Sequence, residues 1–394
     1  MNRQVRKLSV VIYANPDYYP PLINAINLLS KNFDLVVICR NQDLPQVAYP
    51  ENVKLYRLGK RITSREKENQ GGILKIVEYA VFTMRAIFYT RFYKCRLIYA
   101  CDMHGFVAGF FANCFARRSF LVYQNFDLCG WKEKGLRHIV KYLEIRLAHK
   151  ADKIIFSDIN RARYFKKEAK LNELPGVVMN APRQIDNLPP DKLKEILRLK
   201  GFNGNARIVL CQGERMDRER SILEVIKSMP FWPKDSILVL KGNIDENFWE
   251  ECLKEAGPLN LTARIIRLPY GPYPSIFSYT VGASLGLALY NSQELNRIFN
   301  AGASNKIFEY MAMGIPVVTN DSVYFREVLD TRFVYFAKPD SVEDIARAVN
   351  SGLLDKERCP QKANEARQVH LSRLNFEFQF KPILEFINSK FKAN

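Results

Sequence analysis

The chain has little with which to hold a metal or build a disulfide framework. It has four histidines and eight cysteines in 394 residues. The cysteines (39, 95, 101, 114, 129, 211, 252 and 359) are scattered, with no CxxC pair and no zinc spacing to a histidine. Several lie in apolar runs, which suits buried thiols in a reducing cytosol. No Asp-x-Asp pair offers two carboxylates to a metal-bound substrate. A long hydrophobic span is also lacking. The longest uncharged run, 268–293, is broken by Pro269, Pro272, Pro274, Gly282 and Gly286 and does not read as a membrane helix. The opening MNRQVRKLSVVIYANPD has no long apolar core and no small-residue cleavage site, so no signal peptide is expected. Acidic residues are in deficit, 41 against 59 basic, a net charge of +18 that calls for an anionic partner or surface.

What the chain does have is alternation. Short β-branched runs at 8–14, 33–39, 97–101, 120–123 and 153–157 alternate with helical patterns at 21–30, 73–93, 106–116, 134–149 and 160–169. The pattern pauses at NAPRQIDNLPPD, around 180–190, which has three prolines and no periodicity and reads as a linker. It then restarts, with strands expected at 207–211, 237–240, 263–267, 284–289 and 315–319, and helices at 221–228, 246–256, 305–313 and 341–353. The chain is too long for one core. It therefore reads as α/β, with two doubly wound Rossmann-like domains facing a cleft at the C-terminal ends of their sheets. The domains are expected at 1–183 and 184–368, and the aromatic tail 369–394 as a helix packing back toward the first.

Residues 304–318, SNKIFEYMAMGIPVV, are the most informative stretch. Ser304, Asn305 and Lys306 open a helix, Gly314 stops it, Pro316 prevents its resumption, and Val317 and Val318 begin a buried strand. The free amides of a helix N-terminus favour anions, and Glu309, about one turn further in, suits two vicinal hydroxyls. Phosphate with sugar hydroxyls means a nucleotide.

This segment resembles the nucleotide-sugar-binding segment of GT-B glycosyltransferases, in retaining glycosyltransferase family 4. LIYACDMHG resembles the family's strand ending in a His/Asp pair, LEIRLAHKADKIIFSD its helix-strand unit, and VVMNAP its strand leading to the linker. Gln212-Gly213 followed by Arg215 and Arg220 resembles its phosphate-clamp loop. The resemblance spans roughly residues 8 to 365. It implies an acceptor-binding first domain and a nucleotide-sugar-binding second one. Glu309 would hold the ribose hydroxyls, the amides near Ser304, Asn305 and Lys306 the diphosphate, and Arg215 and Arg220 the leaving charge. Lys241 and Gly242, at a strand end, are further donor-side candidates; Lys241 is equally readable as an ordinary charged strand end. Arg215, Arg218 and Arg220 also read as a solvated basic loop.

The chain departs from the family at two places. Eight residues before Glu309, where the family often has another Glu, stands Ala301, and Glu294 is the available substitute. Where the family has His-Asp, this chain has Cys101-Asp102, with His104 two residues on. Asp102 and His104 are both candidates to orient the acceptor, His104 reading equally as the cap of a following helix, and Asp127 at the next strand end is a third acceptor-side candidate.

The implied chemistry is retaining transfer without metal or cofactor, the nucleotide-sugar (UDP- or GDP-sugar) being a substrate. Two Arg contacts would each contribute about 2–4 kcal/mol by stabilising the departing diphosphate, whose oxygen takes the acceptor's proton. Residues 60–99 hold nine basic and three acidic side chains, and 131–170 twelve and five. Most of the excess charge therefore lies in the first domain. There GGILKIVEYAVFTMRAIFYTRFYK interleaves cations with aromatics, suiting either an anionic membrane surface or ordinary packing. The expected protein is peripheral at the inner face of a membrane and passes sugar to a glycan or lipid-linked acceptor in surface polysaccharide assembly. A nucleotide-sugar epimerase of the same fold and an inactive nucleotide-sugar-binding partner of another transferase are the alternatives. Nucleic-acid binding accounts for the charge but not for 304–318.

Overall fold

The computed structural model describes residues 6–42, 47–62, 72–116, 119–131, 134–202, 204, 206–271, 273–355 and 357–392. The chain divides into two compact units, Met1–Met179 with Gln379–Asn394, and Asn180–Phe378. Each is built on a wholly parallel sheet. In the first unit the strands are β1 (Lys7–Ile12), β2 (Asp34–Gln42), β3 (Val53–Ile62), β4 (Leu97–Cys101), β5 (Phe120–Asn125), β6 (Lys153–Phe156) and β7 (Gly176–Val177), in the order β3-β2-β1-β4-β5-β6-β7. In the second they are β8 (Arg207–Met216), β9 (Ser236–Ile244), β10 (Ile265–Leu268), β11 (Leu285–Ala288), β12 (Val317–Asn320) and β13 (Val334–Ala337), in the order β10-β9-β8-β11-β12-β13. Both are doubly wound. The order reverses once in each sheet, between β1 and β4 and between β8 and β11, and ligands of such sheets bind beyond the strand ends at that reversal.

The composition of the strands explains the parallel pairing. β4 is buried at every residue and β1 at all but its first, because helices cover both faces and leave no solvent side to alternate with. Gly286 in β11 lets Tyr310 lie flat against the sheet; a Cβ there would meet the tyrosine ring at 2.5 Å. From Gln379 on, the helix Phe376–Lys392 belongs to the first unit, with Phe391 5.0 Å from Phe33 and Phe380 6.2 Å from Tyr99, ring to ring.

The structure corrects several sequence expectations. β8 does not stop at 211 but runs to Met216, its register with β9 shifting between Gln212 and Arg215. The helix expected at 106–116 begins at Asp102, so His104 lies in its first turn and is not its cap. The two-turn helix Lys192–Leu199 follows the proline stretch, capped by the Asp191 carboxylate on the Lys194 amide at 3.0 Å. β3 and β13 were not anticipated. Of the residues invoked from sequence, 1–5, 63–71, 132–133 and Pro272 lie outside the described ones. Among the described residues no helix is long and apolar enough to cross a membrane.

Candidate active site

The site in the second unit is built on the helix Asn305–Ala312. Ser304 precedes it with extended backbone (φ −81°, ψ 99°) but makes no side-chain cap. Its hydroxyl pairs instead with that of Tyr290, leaving the first helical amides without a side-chain acceptor. The far end closes with Gly314 at φ +69°, whose amide reaches Met311 O at 3.0 Å while Ile315 N reaches Tyr310 O at 2.9 Å. This paired cap is why the sequence stops at that glycine. The loop before the helix is held by Asn180, whose amide donates to Gly302 O at 2.9 Å and whose Nδ2 donates to Ala303 O at 2.8 Å.

The helix N-terminus faces the reversal between β8 and β11. Glu309 is buried, and its Oε2 accepts from Gln212 Nε2 at 2.8 Å; Gln212 Oε1 in turn accepts from Thr280 Oγ1 at 2.9 Å. Burial pushes the Glu309 carboxyl up to about 6, against the Gln212 hydrogen bond and Lys306, which favour its charge. Burial, then Arg220, drives the Lys306 ammonium down to about 7. Both cations rest on the ring of Tyr290, Arg220 at 5.0 Å and Lys306 at 5.2 Å from its centroid. Arg220 Nε is buried with no hydrogen-bond partner, as is Asn305 Oδ1. Two cations, a free helix N-terminus and an orphaned guanidinium N–H form a concentrated anion-attracting surface beside a carboxylate.

The other named residues are placed differently. Arg215, at the outer end of β8, has a side chain 78% exposed and pairs with Asp217 at 3.2 Å. Arg218 pairs with Glu251. Lys241 is buried, but its Nζ donates to Pro269 O at 2.8 Å and lies 3.8 Å from the Tyr279 ring centroid; burial lowers it to about 8. A Cβ on Gly242 would meet Gly213 O at 2.3 Å, so this glycine serves the approach of the β8 loop to β9. Glu294 is exposed, at the start of the short helix Leu295–Ile298, and Ala301 is fully buried.

In the first unit, Asp102 stands at the end of β4 with left-handed backbone, φ 55°. Its Oδ1 accepts from the amides of Phe126 at 2.7 Å and Asp127 at 3.2 Å. Burial and the nearby Asp127 carboxylate push its carboxyl up to about 8, the two amides opposing them. The His104 ring stacks on Tyr13 at 5.5 Å and meets Tyr79 edge-on at 5.4 Å, and Tyr79 OH donates to His104 O at 2.7 Å. Asp102, His104 and Asp127 thus lie together at the reversal between β1 and β4.

Tyr290 and Thr280 were missed from sequence, and Gln212 was noticed only as part of a loop pattern. Tyr290 had a usable signal, since it ends the apolar run SLGLALY of β11 at the ligand end of a parallel sheet. Among the described residues no group of three His, Cys, Asp or Glu side chains is placed to hold a metal ion.

Residues 194–369 match the family of glycosyl transferases group 1. That segment matches the family, and the chain as a whole has the GT-B fold of glycosyltransferases. No curated protein matches it by sequence. Anabaena HepE, solved with UDP and glucose, is similar across 98% of this chain and 100% of its own at 17% identity and a TM-score of 0.73. WaaG, a glycosyltransferase involved in lipopolysaccharide biosynthesis, covers 96% of this chain and 98% of its own at 14% identity and a TM-score of 0.64. A putative UDP-N-acetylglucosamine 2-epimerase from Listeria monocytogenes covers 99% and 98% at 13% identity and a TM-score of 0.61.

Proposed function

We propose that the chain is a retaining, metal-independent transferase that moves a sugar from a UDP-sugar to a saccharide acceptor carried on a lipid. One observation carries this reading: Glu309, Lys306 and the unpartnered Arg220 Nε converge at the uncapped start of Asn305–Ala312, at the reversal of the second sheet. Glu309 takes the ribose hydroxyls. Lys306, Arg220 and the helix amides take the diphosphate and stabilise it as it departs. A departing phosphate oxygen accepts the acceptor's proton, so Asp102, His104 and Asp127 orient the acceptor and need not act as base. Arg215, already paired and exposed, is a minor contributor, and Lys241 supports the strand end. The UDP complex of HepE supports uridine over guanosine as the base. WaaG's part in lipopolysaccharide biosynthesis supports an acceptor of surface polysaccharide type.

The basic first unit, with the exposed apolar residues of its helix Gly72–Phe92, supports work at an anionic membrane surface. The listerial epimerase keeps the epimerase reading in view, because it has the same fold.

The test is calorimetric binding of UDP, GDP, ADP and CDP, followed by product analysis with the matching sugar nucleotides in excess EDTA. UDP binding and a glycosylated acceptor of unchanged anomeric configuration are expected. A free epimer, loss of turnover in EDTA, or an inverted product overturns the assignment.

A further inference from the structure

The first unit contains a cavity of about 1200 Å³ that the transfer chemistry does not use. It opens where β1, β2 and β4 begin, the opposite edge of that sheet from Asp102. Arg6, Lys7, Lys31, Arg91, Lys94 and Arg96 line it, against a single carboxylate, Asp34. Among the described residues Arg6, Lys7, Lys31, Arg91 and Lys94 form no ion pair. Lys7 Nζ lies 5.9 Å from the Tyr93 ring centroid and the Arg96 guanidinium 5.5 Å from that of Phe391, so aromatic walls carry part of the charge. Such a surplus in a concave site fits a phosphate group.

What brings the phosphate is read from the helix Gly72–Phe92, whose last turn forms one wall. Only Tyr79, Phe82, Ala86 and Thr90 of this helix are buried. On the opposite side Val77, Val81, Met84, Phe88 and Phe92 are 40–64% exposed. At 100° per residue these five fall within an arc of about 80°. Arg91 and Arg85 flank that arc. The helix therefore has two apolar faces, one in the core and one largely exposed among the described residues. Its outer face ends, at Phe88 and Phe92, beside the cavity. Two of the helix's last carbonyls are taken up by backbone amides at its end. Lys94 takes left-handed backbone (φ 53°), its amide reaching Arg91 O and that of Cys95 reaching Thr90 O, both at 3.0 Å.

We propose that this cavity is a headgroup site for an anionic phospholipid, the outer helix face entering the interfacial layer of the same bilayer while the cations receive the lipid phosphate. The inference rests on the membrane-surface reading above and adds a defined phosphate site to it. The occupant is a lipid because a free phosphate would leave the adjoining apolar arc unexplained.

The experiment pairs two probes with two variants. Vesicles of phosphatidylglycerol with phosphatidylcholine, against phosphatidylcholine alone, report docking by sedimentation. Dihexanoyl phosphatidylglycerol below its micellar concentration reports the cavity alone by calorimetry. Lys31→Gln combined with Lys94→Gly should weaken anionic-vesicle binding about thirtyfold and abolish short-chain binding. Phe88→Gln should weaken vesicle binding and leave short-chain binding intact. Near-UV circular dichroism and the urea midpoint should be unchanged in both variants, which checks the folding of the first unit. If the lysine pair sediments like the wild type, the cavity assignment falls while docking stands. If the short-chain lipid binds but vesicles do not, the docking reading falls and the phosphate site stands. Displacement of the short-chain lipid by a generic RNA duplex overturns the lipid assignment.

Discussion

Gln212 Nε2 donates to Glu309 Oε2 at 2.8 Å, and the same amide's oxygen is held by Thr280, so β8 and Thr280 together aim the Glu309 carboxylate. Glu309→Gln should separate stability from function. Burial lifts this carboxyl from its ordinary 4.5 to about 6. Between those values the folded state holds the proton more tightly than the unfolded chain, so stability falls as pH rises through them and stays lower above. Replacing the acid should raise unfolding stability at pH 8 by at most about 2 kcal/mol in a urea titration. Donor affinity should fall about tenfold or more, as expected for loss of a charged hydrogen bond.

The two arginines named from sequence should part company. Arg220 sits on Tyr290 with a buried, unpartnered Nε, whereas Arg215 is exposed and paired with Asp217. Arg220→Ala should weaken UDP binding by about 1.5–3 kcal/mol and lower kcat, while Arg215→Ala should cost under about 1 kcal/mol. Equal losses in calorimetry would assign the phosphate clamp to the whole loop.

Lys306 predicts proton uptake on donor binding. Burial and Arg220 hold its ammonium down at about 7, so at pH 8 it is mostly neutral. A diphosphate placed beside it favours the charged form and draws in a proton. Calorimetry at pH 8 in buffers of different ionisation enthalpy should show uptake approaching one proton, absent in Lys306→Met. The stability sign is opposite to that of Glu309. The unfolded chain binds the proton more readily between 7 and 10.5, so this group stabilises the fold increasingly as pH rises across that window.

Gly286→Ala should damage the site from behind. The new Cβ would meet the Tyr310 ring at 2.5 Å, and Tyr310 OH both donates to Leu210 O at 2.8 Å and accepts from Gln212 N at 3.1 Å. Overpacking there should cost about 1–3 kcal/mol in a urea midpoint titration. UDP affinity should fall with it, because Gln212 shifts.

The second sheet's binding helix was legible because cap, acid, glycine stop and strand follow within fifteen residues and each rests on local backbone chemistry. The alternation of strands and helices was legible because a doubly covered sheet needs unbroken apolar runs. What escaped depended on partners distant in sequence. Nothing local to Lys241 announces that the Pro269 carbonyl holds it, and nothing near Arg215 marks the register shift that leaves it outside. β3, VKLYRLGKRI, escaped because its charged and apolar residues alternate at an edge, so it lacks the buried run of the inner strands. The helix Gly72–Phe92 showed its interleaved composition, but one apolar stripe could be told from two only after its buried side was known.

The division of the chain bears on its synthesis. Gln379–Asn394 belongs with Met1–Met179, while everything between forms the other unit. On the ribosome the second unit has all its residues before the first does. The first sheet must wait, its bed for Phe380 and Phe391 open to solvent, until the last turns of the final helix emerge. The unit that starts first is thus completed last.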